Sequence, residues 1–244
     1  SVKYTTALGG QALATGNHAT ALGYFSHATG NYGTALGGAS VASGANSSAL
    51  GFAATASGAN GTSIGEGSYA SAGNSTSMGY HAKATGSGSA ALGASAVATQ
   101  IDGISLGYKA NSSGNFGVAW GALTLASTYG TAAGVNASAM GGNGTAVGRF
   151  ANAGGSYATS LGAGSSAQGR KSVALGFSAA AGTSSSGTQA FALGSSSVAS
   201  ANNSTAIGGA IDLNGDGTIE ANEETTASAG LSMAMGDAAQ ATQT

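Results

Sequence analysis

At 244 residues, with only 6% charged side chains, a net charge of −2 and 45 glycines, the chain lies far from an ordinary soluble domain, where roughly a quarter of residues are charged. Its 42% apolar content argues against disorder driven by charge. The lack of Pro excludes collagen, and no stretch approaches the ~18 unbroken apolar residues of a membrane helix. The absence of Cys removes disulfides and thiolate metal sites and leaves the redox compartment open. Six basic residues scattered singly give no electrostatic footprint for nucleic acid or an anionic membrane. A start at Ser1 without a signal-like segment suits a processed or trimmed product.

From the N-terminus onward, an apolar residue followed by Gly recurs every 14 residues, at Leu8, Leu22, Leu36, Leu50, Ile64, Met78, Leu92, Leu106 and Trp120. The series resumes at Ala133, Val147, Leu161 and Leu175, then at Leu193, Ile207 and Met235, and each of the 16 slots is preceded by Ala or Ser. So strict a period means one small unit stacked on itself. Within residues 17–30, two segments of four or five residues, His18–Leu22 and Ser26–Thr29, are separated by corners bearing Gly or Asn. Segments this short are strands rather than helices, and Gly and Asn supply the positive φ of a tight corner. The spacing predicts an all-β, parallel β-solenoid (β-roll) with 14-residue rungs and two short strands per rung. Sixteen rungs at roughly 4.8 Å give a rod on the order of 75 Å.

The two strands differ. In the second, Ala or Ser at 12, 40, 54, 82 and 96 alternates with a mixture such as Leu13, His27, Tyr69 and Lys83, so one face is buried and the other wet. The first strand does not alternate. A position two before the slot that is usually Thr or Val, Ala or Ser one before it and an apolar slot residue imply burial on both faces. A two-sheet roll covers only one of them from within, so a second copy of the chain is expected to cover the other.

Tyr24, Phe52, Tyr80 and Tyr108 recur every 28 residues, on every second rung. They are possible surface contacts, either stacking on sugars or a protein ligand or filling a corner between protomers. A row of hydroxyls at Thr15, Thr29, Ser43, Ser57, Ser71, Thr85 and Thr99 admits an ice-binding reading, but bulky neighbours interrupt it and a solvated face suits it better. Sequons at Asn46, Asn60 and Asn74 read more simply as corner Asn followed by first-strand Ser or Thr.

Five of the eight acids lie within residues 212–224. The run Asp212-Leu213-Asn214-Gly215-Asp216-Gly217-Thr218-Ile219-Glu220-Ala221-Asn222-Glu223 reproduces the EF-hand calcium loop position by position. Asp212, Asn214, Asp216, the Thr218 carbonyl, Glu220 and bidentate Glu223 are the expected Ca2+ ligands, with Gly217 at the sharp turn. The step from Ile207 to Met235 is two periods with the middle slot missing, so the segment replaces one rung or bulges from it. The predicted segments are 1–210 (β-roll repeats), 211–230 (inserted acidic EF-hand-like calcium loop) and 231–244 (terminal β-roll rung). No enzyme is expected: outside the loop only Glu66, Asp102 and Asp237 remain, and His18, His27 and His81 lie on different rungs without an acid or nucleophile.

The strings Asn46-Ser47-Ser48-Ala49-Leu50-Gly51, Lys171-Ser172-Val173-Ala174-Leu175-Gly176 and Asn203-Ser204-Thr205-Ala206-Ile207-Gly208 resemble the head repeat of trimeric autotransporter adhesins, the YadA-like head. The resemblance covers nearly the whole chain. It implies a left-handed roll, a homotrimer, a location on the bacterial cell surface, and attachment to host matrix or other surfaces. No coiled-coil stalk or membrane barrel of that family is present in this sequence, as for an excised head or for a mature subunit without an anchor. The leading expectation is a non-enzymatic extracellular adhesin head. The second is a subunit of a self-assembling filament, because the step from Met235 to Leu8 of a second copy nearly matches the internal step from Leu175 to Leu193. An ice-binding solenoid is the third.

Overall fold

The computed structural model describes residues 4–182 and 189–242; the two chain ends invoked for head-to-tail stacking fall partly outside them. The chain forms two compact units, Ser1–Leu123 and Thr124–Thr244. Each is a parallel β-solenoid with two short strands per turn, and they total about 16 turns. In the first unit, three-residue strands run from Thr6–Leu8 to Val118–Trp120, and two-residue strands from Leu13–Ala14 to Asn111–Ser112. In the second, two-residue strands run from Leu125–Ala126 to Gln240–Ala241, and three-residue strands from Thr131–Ala133 to Met233–Met235.

The register follows the period. Thr6 pairs with Thr20, Ala7 with Ala21 and Leu8 with Leu22, so each residue sits beside its equivalent one turn later. Between turns, the N–H of Leu13 donates to Ser26 O at 2.8 Å and the N–H of Gly23 to Leu8 O at 2.8 Å. These ladders satisfy the backbone of strands too short to stand alone.

The core is very thin. Among the described residues every buried apolar side chain is Ala, and the buried polar ones are Ser, Thr124, Thr225 and Glu223. Ser can replace Ala in the inner rows because most of these hydroxyls find an acceptor inside the roll, Ser232 Oγ being a buried exception. Ser26 Oγ donates to Gly23 O at 2.9 Å, and Ser47 Oγ donates to Gly44 O at 2.7 Å, each three residues back. Where Ser faces Ser, the hydroxyls bond to one another across the interior, as Ser63 and Ser68 do at 2.7 Å. A buried hydroxyl with a partner costs little, whereas an orphaned one costs on the order of 1–3 kcal/mol.

The large apolar side chains point outward. On the first sheet, from the second turn onward, the residue before each slot is buried while the slot residue faces out; Leu36 is 40% exposed and Trp120 63%. On the second sheet Ala28 and Ala42 are buried, while Leu13, Tyr69 and Lys83 are exposed, as the alternation predicted.

The corners depart from the expectation of Gly or Asn. The glycine after each slot does adopt a conformation closed to other residues, such as φ +129° at Gly37. A second set of corner residues, spaced by seven, has φ near +55° and includes Phe25 (55°), Tyr32 (57°), Phe150 (59°) and Tyr157 (61°). This left-handed region costs a bulky L-residue roughly 1–2 kcal/mol. The ladder holds them there: Phe25 N donates to Gly10 O at 3.0 Å and Tyr32 N to Asn17 O at 2.7 Å. Tertiary hydrogen bonding thus overrides local preference at these corners.

The slot glycines have a second constraint. A Cβ on Gly37 would lie 2.6 Å from Gly51 O of the next turn. Gly37→Ala is therefore expected to destabilise the roll by about 2 kcal/mol or more, from strained φ and steric conflict together. Gly142, with nothing within 4 Å of an added Cβ, is expected to accept Ala within about 0.5 kcal/mol. Chemical denaturation of the two variants checks the contrast, and equal losses would contradict it.

Candidate functional site

The acidic segment leaves the roll at a corner. The strand Thr205–Ile207 pairs directly with Met233–Met235, and Val198–Ala199 pairs with Thr226–Ala227. No turn is lost, so of the two arrangements that the double period allowed, the loop bulges from one rung. Within 211–230, residues 225–230 belong to the roll and carry the strand Thr226–Ala227. The neck is closed by Ile211 N donating to Glu223 O at 3.0 Å, and by the buried Thr225 hydroxyl, whose Oγ1 lies 3.0 Å from Gly209 O and 2.7 Å from Gly236 O.

Inside the loop the carboxylates fold back on the backbone. Asp212 accepts from the N–H groups of Gly215 and Gly217. Asp216 accepts from the N–H of Thr218 at 2.8 Å and from its hydroxyl at 2.6 Å. Glu223, 1% exposed, accepts from Leu213 N at 2.8 Å, Asn214 N at 3.3 Å and Glu220 N at 3.1 Å. The Asn214 amide nitrogen donates to Asp216 and Glu220, each at 3.2 Å.

These contacts set the charges. The N–H groups of Glu220, Leu213 and Asn214 hold Glu223 below its ordinary value of 4.5. Glu220, hydrogen-bonded to Glu223 and repelled by its charge, is held above the same value. The Thr218 hydroxyl and N–H lower Asp216. No Lys, Arg or His occurs in residues 172–244, which contain six acids, so the loop's charge has no basic partner within that stretch. The six expected ligand residues thus share one small loop, but among the described residues no three His, Cys, Asp or Glu side chains converge on a metal-holding point.

The sequence did not point to Gln240. Its Nε2 donates to Ala221 O at 3.1 Å and Glu224 O at 2.6 Å, tying the loop to the last rung. Only the register reveals that pairing, because Gln240 occupies a solvent-facing position indistinguishable from its equivalents.

Tyr24, Phe52, Tyr80 and Tyr108 all lie exposed on one ridge of the first unit. Two of the His residues contact aromatic rings. His18 stacks between Tyr4 and Tyr32 at 5.2 and 5.0 Å, and His81 meets Tyr80 edge-on at 4.2 Å.

The model of the YadA head domain repeat, which spans two copies, matches residues 3–26, 28–54, 56–82, 70–96, 84–110, 98–123, 153–179 and 185–210. The chain belongs to the YadA head repeat family. The matched YadA head repeats end at residue 210, before the acidic loop. A comparison with curated proteins finds no match.

Glu223 gives the loop a pH dependence of fixed sign. A carboxyl whose value is lowered by folding stabilises the folded loop above its unfolded value and loses that contribution as pH falls through the folded one. Glu220 acts oppositely, since protonating it relieves repulsion. Acidification is therefore expected to leave the Leu213, Asn214 and Glu220 amides protected until Glu223 protonates below 4.5, and then to release them. Amide exchange corrected for intrinsic rates measures this, and undiminished protection at still lower pH would contradict it.

Proposed function

We propose that this chain is the head of a bacterial surface adhesin, acting outside the cell without catalysis. In this reading it is a homotrimer that covers the outward slot row of each protomer and presents the rest of the roll for attachment. Membership of the YadA head repeat family supports the adhesin reading. The observation that carries the assembly is the inverted distribution of size, with Ala and Ser inside and Leu, Met and Trp outside. Burying one exposed Leu is worth about 1.5–3 kcal/mol, and the slot row offers such a side chain on turn after turn.

The slot row gives the test. Leu36→Lys, at a 40% exposed position, leaves the Ala and Ser core untouched and places a charge where copies meet. Sedimentation is expected to give a trimer for the wild type and smaller species for the variant. A wild-type monomer at working concentration would contradict the assembly.

The acidic loop is proposed to bind calcium through Asp212, Asn214, Asp216, Thr218, Glu220 and Glu223. The support is the hard-oxygen donor set at EF-hand spacing and the lack of any basic side chain in residues 172–244. The mutual repulsion of Glu220 and Glu223 is a charge imbalance that a cation relieves. Its role is structural, fixing the loop against the last rung through the Gln240 contacts. Calorimetry is expected to show one saturable calcium site, weakened about tenfold or more by Asp216→Asn through loss of ligand charge. No heat at millimolar calcium would remove the site.

A further inference from the structure

The aromatic ridge of the first unit has a geometry of its own. Residues 10, 24, 38, 52, 66, 80, 94 and 108 stack turn on turn, as the corner hydrogen bonds from Phe25 N to Gly10 O and from Ala39 N to Tyr24 O show. Rings occupy every second turn, and Gly10, Gly38, Glu66 and Ala94 occupy those between. A Cβ on Gly10 would lie 3.2 Å from Tyr24 Cδ2, and one on Gly38 would lie 3.4 Å from Phe52 Cδ2, so these rings lean over a small residue of the preceding turn. Two of the ring planes are braced by the next residue in sequence: Phe25 meets Tyr24 at 85°, and His81 meets Tyr80 at 77°. Lys109 Nζ lies 5.2 Å from the Tyr108 ring centre. Despite this bracing, Tyr24 remains 62% exposed and Tyr108 51%.

We propose that this ridge binds a neutral, extended β-1,4-linked glycan running along the roll, with alternate sugars stacked on Tyr24, Phe52, Tyr80 and Tyr108. The inference rests on the adhesin reading and gives its ligand a chemical class. Successive sugars of such a chain are turned by about half a revolution, so every second sugar presents the same apolar C–H face. A ring on every second turn recurs at ~9.6 Å, which is about the advance of one disaccharide. Glu66, between Phe52 and Tyr80, and Lys109, beside Tyr108, supply partners for hydroxyl groups. With one charge of each sign, the ridge has no field to select a polyanion.

Calorimetric titration with cello- and chito-oligosaccharides, from disaccharide to octasaccharide, tests this on the intact protein. Affinity is expected to rise with length as each added disaccharide reaches another ring. It is expected to fall about tenfold for each of Tyr24→Ala, Phe52→Ala and Tyr80→Ala, with sedimentation unchanged. Binding that ignores length, or that survives the triple variant, overturns the proposal. An altered oligomeric state in the variants also overturns it, because the ridge is then a contact between copies. Attachment to a serum-protein-coated surface, measured in parallel, separates the two readings. A protein that adheres there but ignores both glycan series sinks the glycan ridge alone. One that binds the oligosaccharides but no surface sinks adhesion alone.

Discussion

The constraint on which the structure depends is the thinness of its interior. A turn of 14 residues closes around so little space that, among the described residues, only Ala, Ser and Gly fit inside, with Thr124, Thr225 and the loop's Glu223 as exceptions. Each buried methyl contributes about 0.8 kcal/mol, far less than the side chains that stabilise an ordinary core. The backbone ladder therefore carries much of the order, and every row of the roll serves to keep it unbroken. Serines bend to carbonyls three residues back, slot glycines let adjacent corners touch, and bulky corner residues accept unfavourable φ because the ladder secures their N–H groups. The displaced apolar volume has to go outside, which makes the slot row a surface that water covers poorly.

Much of this was legible in the sequence because identical residues stack on identical residues. The 14-residue step fixed which side chains are neighbours, but the composition of the first strand did not show which of its faces points inward; the burial of the Ala or Ser before the slot does. The corners were less legible. Phe25, Tyr32 and Tyr157 have no local reason to adopt positive φ, and only the hydrogen bonds between turns explain why they do. Equally, a gap of two whole periods between Ile207 and Met235 could not distinguish a lost rung from a bulge, since both keep the slots in phase. The pairing of Val198 with Thr226 decides it.

The acidic loop shows how a repeat protein acquires a local feature without disturbing the array. It leaves and re-enters at one corner, is closed by Thr225, and returns the chain in register. Its expected ligand residues were readable from spacing alone. The burial of Glu223 under three backbone N–H groups was not, because it follows from how the loop folds onto itself and onto the rung beneath. The aromatic ridge is the counterpart on the regular part of the roll, where the period of the fold becomes the period of a surface.

If the fold's stability depends on neighbouring chains covering the slot row, folding and association are one equilibrium. Reversible thermal unfolding across a hundredfold range of protein concentration tests this directly. A thin-cored roll held by its partners gives a midpoint that climbs steadily with concentration. A midpoint that stays fixed across the range would mean that each chain stands by itself and that the outward apolar row has no structural part to play.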